Sequence, residues 1–246
     1  MNGMSQEEKR TAAFKVFEKN MAHIGFVQEA MKKGTEQSIP LMHQIAQEGE
    51  AIKKIEGAER AAAAEVVLAK AAAMAEKYFG GLTFAREWMC VMLLTFLQAY
   101  HEDSFVRIAE KDADIMDRVR PLGSDREIKG LTLDEMRRLW AQKAMQGKGP
   151  KGWFKHFAKE GVHNYREQDI QNMQYLFASR NLIVHAAGKA SDDYINQYPR
   201  QMVLSEQIKV TQSTSLLWSV SAWNLVKATD EYMLRYEDET VGITGT

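Results

Sequence analysis

Four prolines in a chain of 246 residues, and ten alanines within the eighteen positions from Ala58 to Ala75, constrain the fold before anything else does. Proline removes a backbone donor and clashes with the preceding turn, so a chain nearly free of it can run long helices unbroken. Alanine has the highest helix propensity and a side chain small enough for close helix packing. No segment shows the apolar/polar alternation of a half-buried strand, and there is no internal repeat. The expected fold class is all-α.

Composition narrows the class further. Hydrophobic residues make up 45% and charged residues 26%, outside the disordered regime. Lys+Arg 32 against Asp+Glu 33 gives no global field for nucleic acid or membrane, so any such surface is a local patch. A single cysteine, Cys90, excludes an intramolecular disulfide or a multi-cysteine metal site and suits a reducing, cytoplasmic setting. The first ten residues lack an apolar signal core. The most hydrophobic run, Trp88 to Leu97, falls well short of the roughly 20 residues a membrane span needs. It reads as a buried core helix with no membrane role.

Glycines and turn residues divide the chain. A helix from Ser5 to about Lys33 is expected to end at Gly34, and a second, with Pro40 in its first turn, to reach Gly57. The alanine-rich stretch is a packing helix, with a domain boundary at Gly80-Gly81. Thr83 then caps a long helix to about Lys111. Arg120 to Ser124 is a turn, Thr132 to Met145 a shorter helix, and Gln146 to Gly152 the clearest loop. A helix from Tyr165 to Ala187 follows, then a turn, then a last helix from Ser205 to about Tyr236. These limits give an N-terminal extension at 1–80 of unknown role, a helical domain at 81–236 and a flexible tail at 237–246.

The chemistry concentrates late in the helix ending at Ala187. Ile170, Met173, Leu176, Phe177, Ile183, Val184 and Ala187 form its apolar stripe, with Arg180 in the middle. A buried guanidinium requires a carboxylate or an anionic ligand. Asn181 and His185, four residues apart, share a face beside it. Arg, Asn and His at a groove suit a phosphodiester. Neutral imidazole takes a proton from a ribose 2′-hydroxyl, imidazolium returns one to the leaving 5′-oxygen, and guanidinium holds the pentavalent phosphate. An unperturbed imidazole titrates near about 6.5, so both forms are populated near neutral pH. That chemistry requires no metal or cofactor.

The run Arg180-Asn181-Leu-Ile-Val-His185, with Gly188 and the Ser191-Asp192-Asp193-Tyr194 turn, resembles the signature of the HEPN superfamily. Phe96 to Tyr100 is similar to part of the first core helix of such domains. The resemblance spans about residues 81–236 and implies an up-and-down four-helix bundle that pairs with a second copy. It implies metal-independent RNA cleavage at a dimer groove, leaving a 2′,3′-cyclic phosphate, with Arg180 and His185 catalytic and Asn181 supporting. One such motif per chain then requires a homodimer. Many relatives act in defence, abortive infection or toxin–antitoxin systems, with a regulatory or antitoxin partner. Others are catalytically silent RNA-binding or assembly modules, and both alternatives stay open here. In one subgroup a tyrosine two residues after the His is the target of a nucleotidyltransferase, and that position is Ala187.

Structural readings stand beside these. Arg180 has Glu102 and Asp103 available for a salt bridge, and the same carboxylates are candidates to orient Arg180 or His185. As a helix-end histidine, His185 can bond last-turn carbonyls. Lys148, Lys151, Lys155 and Lys159, with Trp153, Phe154 and Phe157 interleaved, suit single-stranded RNA, cations on phosphate and rings on bases. Equally, the rings tuck into the bundle and the lysines stay in water. Trp218 and Trp223 read as core or interface anchors, Cys90 as inert, and Asp112, Asp114 and Asp117 as a solvated face.

Overall fold

The computed structural model describes residues 10–53, 58–111, 129–146, 149–198, 203–204, 207–208 and 210–243. The chain is mostly helical, as the all-α expectation requires. In chain order the described helices are α1 (Ala12–Lys53), α2 (Ala58–Glu110), α3 (Leu133–Met145), α4 (Gly149–Lys159), α5 (Glu167–His185), α6 (Asp192–Gln197) and α7 (Gln212–Ile243). Between α6 and α7 a short antiparallel hairpin pairs β1 (Val203–Leu204) with β2 (Gln207–Ile208), two strands too brief to show alternation in sequence.

The chain divides into two units, Ala22–Met89 and the remainder. In Ala22–Met89 the limits expected at Gly34 and Gly80-Gly81 do not hold, and the one at Gly57 lies outside the described residues. Helix α1 runs through Gly34 and Pro40, and α2 runs through Gly80 and Gly81, where a boundary was expected. A helical glycine costs about 1 kcal/mol relative to alanine, too little to end a helix among strong helix formers. Glu29–Lys33 at 3.8 Å and Lys32–Glu36 at 3.9 Å lie on exposed turns of α1 and add i,i+4 support around Gly34. Ile24, Leu82 and Met89 are buried, whereas Phe26, Phe84 and Trp88 are exposed.

The other unit is built around the end of α2. Leu93, Leu94, Leu97, Tyr100, Phe105 and Ile108 are all buried there. Each full burial contributes about 1.5–3 kcal/mol before entropy is counted. Phe17 of α1 meets the Tyr100 ring at 5.8 Å, Trp140 of α3 meets Phe105 edge-on at 5.6 Å, and Phe157 of α4 stacks on Phe105 at 3.9 Å. Tyr100 Oη donates to the Val226 carbonyl of α7 at 3.3 Å. Trp218 is fully buried, and Trp223 packs against Phe14 at 5.4 Å, so both tryptophans anchor this core.

Helix α3 starts where its sequence says. Thr132 Oγ1 accepts from the Glu135 backbone N–H at 3.3 Å, and Glu135 Oε2 accepts from the Thr132 N–H at 2.7 Å. Two donors of the first turn are thereby satisfied. The stretch read as the clearest loop is, from Gly149 onward, helix α4. Gly149 opens it at φ +60°, where an added Cβ would meet the Phe177 ring at 3.3 Å. Gly149 serves a tight entry and a close helix approach, not an open loop. The turn from Arg120 to Ser124, the aspartates Asp112, Asp114 and Asp117, and Lys148 lie outside the described residues. Helix α7 begins at Gln212, later than expected, and continues to Ile243, through part of the segment read as tail.

Candidate functional site: the two ends of α5

Helix α5 carries the motif, and its buried side chains are Asp169, Asn172, Met173, Leu176 and Ser179. That stripe is rotated from the one the apolar residues suggest: Ile170, Phe177 and Ile183 are half-buried and Val184 is exposed. The first half of the helix spends its polar groups on α7. Asn224 Nδ2 donates to Asp169 Oδ2 at 3.3 Å, Asn172 Nδ2 donates to Ser221 Oγ at 2.8 Å, and the Tyr175 and Trp218 rings meet edge-on at 5.0 Å. Partners advance by three on α5 and retreat by three on α7, an antiparallel register fixed by hydrogen bonds. Gln168 Nε2 donates to Asn172 Oδ1 at 3.1 Å and uses that amide's oxygen as well.

The second half is different. Arg180 continues the line of Asp169, Met173 and Leu176 but, near the end of the helix, is only half-buried, so water reaches it and no buried carboxylate is demanded. Its Nη1 donates to Asn181 Oδ1 at 3.2 Å. Neither expected carboxylate pairs with it. Glu102 Oε1 accepts from Gln142 Nε2 of α3 at 3.2 Å, and Asp103 is exposed. His185, the last residue of α5, is exposed, and among the described residues its ring makes no hydrogen bond to a last-turn carbonyl. On an ideal helix it lies about 7.5 Å along the axis from Arg180 and about 140° around it, with Asn181 between them in azimuth. One chain therefore presents the arginine and the histidine on adjoining rather than coincident faces.

Beyond His185 the chain is pinned. The Leu182 carbonyl accepts from both the Ala186 and the Gly188 N–H at 2.9 Å, with Ala187 at φ 49° and Gly188 at φ 78°. The Gly188 carbonyl in turn accepts from the Ile208 N–H at 2.9 Å, so the turn after the motif is held by β2.

Sequence reading missed a tyrosine cluster beneath the motif. Tyr194 Oη lies 2.7 Å from Ser179 Oγ, which itself donates to the Tyr175 carbonyl, leaving Tyr194 as the donor of that pair. Tyr175 stacks on Tyr198 at 4.7 Å, and burial raises the pKa of all three phenols. The available signal was spacing: Tyr194 of α6 and Tyr198, its C-cap, are four apart, as are Tyr175 and Ser179 on α5. His101, also missed, is wholly buried, touching the Phe154 and Phe157 rings at 5.0 and 5.1 Å. Its Nδ1–H donates to the Leu97 carbonyl at 2.9 Å, and burial lowers its pKa to about 3, leaving a neutral core imidazole.

The lysine-rich segment forms one amphipathic helix. Trp153 is 2% exposed and its Nε1–H donates to the Met145 carbonyl at 2.8 Å. Phe154 and Phe157 are buried too, so none of the three rings stands ready to stack on a base. Lys151, Lys155 and Lys159 are exposed on the other face. Cys90 is buried. A cleft of about 230 Å³, lined by residues including Arg166, Asp169, Asn224 and Lys227, lies at the first turn of α5, the end away from the motif.

No family model, no curated protein and no solved structure matches this chain. Among the described residues no helix is long and apolar enough to cross a membrane, and no cluster of three or more metal-ligating side chains occurs.

Proposed function

We propose that the chain is a metal-independent endoribonuclease of HEPN type, a homodimer in which Arg180 and His185 from two copies line one groove. The reading includes the family's four-helix arrangement for the unit carrying α5. The observation that carries it is the state of Arg180: half-exposed and braced by Asn181, with no carboxylate partner among the described residues. A guanidinium neutralised by Glu102 or Asp103 would have argued for a structural role, and both carboxylates stand apart from it.

In the proposed reaction neutral His185 takes the proton of a ribose 2′-hydroxyl while the 2′-oxygen bonds to phosphorus. The bond from phosphorus to the 5′-oxygen breaks, and the imidazolium of a second copy supplies that oxygen with a proton. The products are a 2′,3′-cyclic phosphate and a 5′-hydroxyl. Arg180 holds the charge that builds on the equatorial oxygens, and Asn181 fixes the direction of its fork. The azimuthal offset between Arg180 and His185 suits a site shared between copies. A cytoplasmic nuclease restrained by a regulatory or antitoxin partner, in antiviral defence or abortive infection, fits this chemistry.

The test is cleavage of RNA in EDTA by purified protein. Cyclic phosphate ends and no cut at a 2′-deoxy scissile nucleotide are expected. RNA cut equally well by a nuclease-free His185→Ala preparation overturns the reading. A second reading, a catalytically silent RNA-binding or assembly module, is favoured by Leu216, Leu217 and Val220, exposed on α7 as an apolar face suited to a protein partner. It predicts RNA affinity without product.

A further inference from the structure

We propose that Lys151, Lys155 and Lys159 form a phosphate rail that holds single-stranded RNA by its backbone alone and leads it toward Arg180. The inference rests on the ribonuclease reading above and specifies how its substrate is held. Steps of four residues keep the three ammonium groups on one side of α4, about 6 Å apart along the axis and drifting about 40° per step. Trp153, Phe154 and Phe157 occupy the opposite side and are sealed in the core. The aromatic half of a stacking site is therefore spent, and what remains is cationic.

Two further observations bear on this row. Helix α4 holds three lysines and no acid in its eleven residues, and among the described residues none of the three has a carboxylate within ion-pair distance. Some exposed lysines on other helices do, Lys32 with Glu36, Lys33 with Glu29, and Lys227 with Glu231 at 4.0 Å, whereas among the described residues Lys15 and Lys19 of α1 share the unpaired state without forming a row of three. The row is also directed. Its Lys151 end abuts α5 one to two turns before Arg180, where the Lys151 N–H donates to Gln174 Oε1 at 3.2 Å and the Trp153 ring meets Phe177 at 6.1 Å. The other end of α4 meets α7, where Tyr232 Oη donates to the carbonyl of Glu160, the residue after the helix. A strand laid along the lysines thus approaches the motif from the side of Lys151. A line of cations on a convex helix fits one flexible strand, and in-line attack by a 2′-oxygen needs a strand free to leave A-form geometry.

Backbone-only contact has a quantitative signature. Each phosphate neutralised on a single strand contributes about −0.7 to the slope of log K against log salt, so the row accounts for about −2. The experiment titrates the full-length protein with 2′-O-methyl oligo-U, oligo-A and oligo-C at several salt concentrations, the methyl group preventing cleavage. The expected result is similar affinity for all three, a slope that flattens by about 0.7 for each Lys→Gln change, and a triple variant with unchanged melting temperature. A triple variant that keeps the wild-type slope overturns the rail. So does strong preference for one base, or loss in the triple variant of binding to anionic phosphatidylserine vesicles with RNA binding unchanged. Cleavage of ordinary RNA separates this from the underlying reading. A raised KM with kcat intact in the triple variant supports both. Lysine-dependent binding by a wild type that cuts no RNA keeps the rail and removes the nuclease.

Discussion

The two halves of α5 treat their polar residues in opposite ways. In the first half Asp169 and Asn172 are buried and bonded to Asn224 and Ser221 of α7. In the second half Arg180 and Asn181 bond to each other and His185 faces water. The same contrast separates two histidines, since His101 is sealed among aromatic rings while His185 is exposed. A buried polar group must be satisfied or the fold pays a few kcal/mol, so the first group is explained by stability. The second group carries no such obligation, which makes it available for chemistry.

Substitutions at the two ends should therefore separate activity from stability. The largest effect is expected from His185→Ala, with cleavage lowered about 10²- to 10⁴-fold, the range of a general acid–base residue, and an unchanged melting curve. Residual cleavage above a tenth of wild type would erase the distinction. Leu176→Ala, in the buried stripe, should cost about 2–5 kcal/mol in a urea titration, and a loss below 1 kcal/mol would show that this half is not core.

The histidine contrast is read by pH. In the unfolded chain His101 titrates near about 6.5, whereas in the folded protein burial holds it at about 3. Between those values the unfolded state binds a proton that the native state refuses. Stability present above pH 6.5 is therefore lost as pH falls toward 3, amounting to about 2 kcal/mol by pH 5. His101→Phe should flatten the melting-temperature profile from pH 7 to pH 5 relative to wild type, and parallel profiles would contradict the assignment. The smallest effect is expected from Gly188→Ala. Its φ of 78° costs an L residue about 1–2 kcal/mol, with nothing within 4 Å of the added Cβ to clash. No measurable change would mean that the turn behind His185 relaxes.

What the sequence made legible follows the range of the forces involved. Helix α3 was placed well because its capping box lies within four residues, Thr132 to Glu135. The limits of α1 and α2 were misplaced because Gly34, Gly80 and Gly81 weigh little against surrounding helix formers. The first turn of α4 was read as a loop because the reason for Gly149, contact with Phe177, is tertiary. The motif residues were visible as a local pattern. The burial of Asp169 and Asn172 in the stripe was not, because the bonds to Asn224 and Ser221 that accompany it join residues 55 and 49 apart. The tyrosines under the motif escaped notice for the same reason, although their i,i+4 spacings were in plain view.

The central claim is that the fold leaves Arg180 for a ligand. It is tested most directly by measuring RNA cleavage in EDTA and unfolding free energy on the same preparations of wild type and Arg180→Ala. The account predicts cleavage reduced at least about 100-fold, in line with loss of a transition-state charge donor, with stability changed by less than about 0.5 kcal/mol. A variant that cuts RNA as fast as wild type, or that loses several kcal/mol of stability, would contradict it.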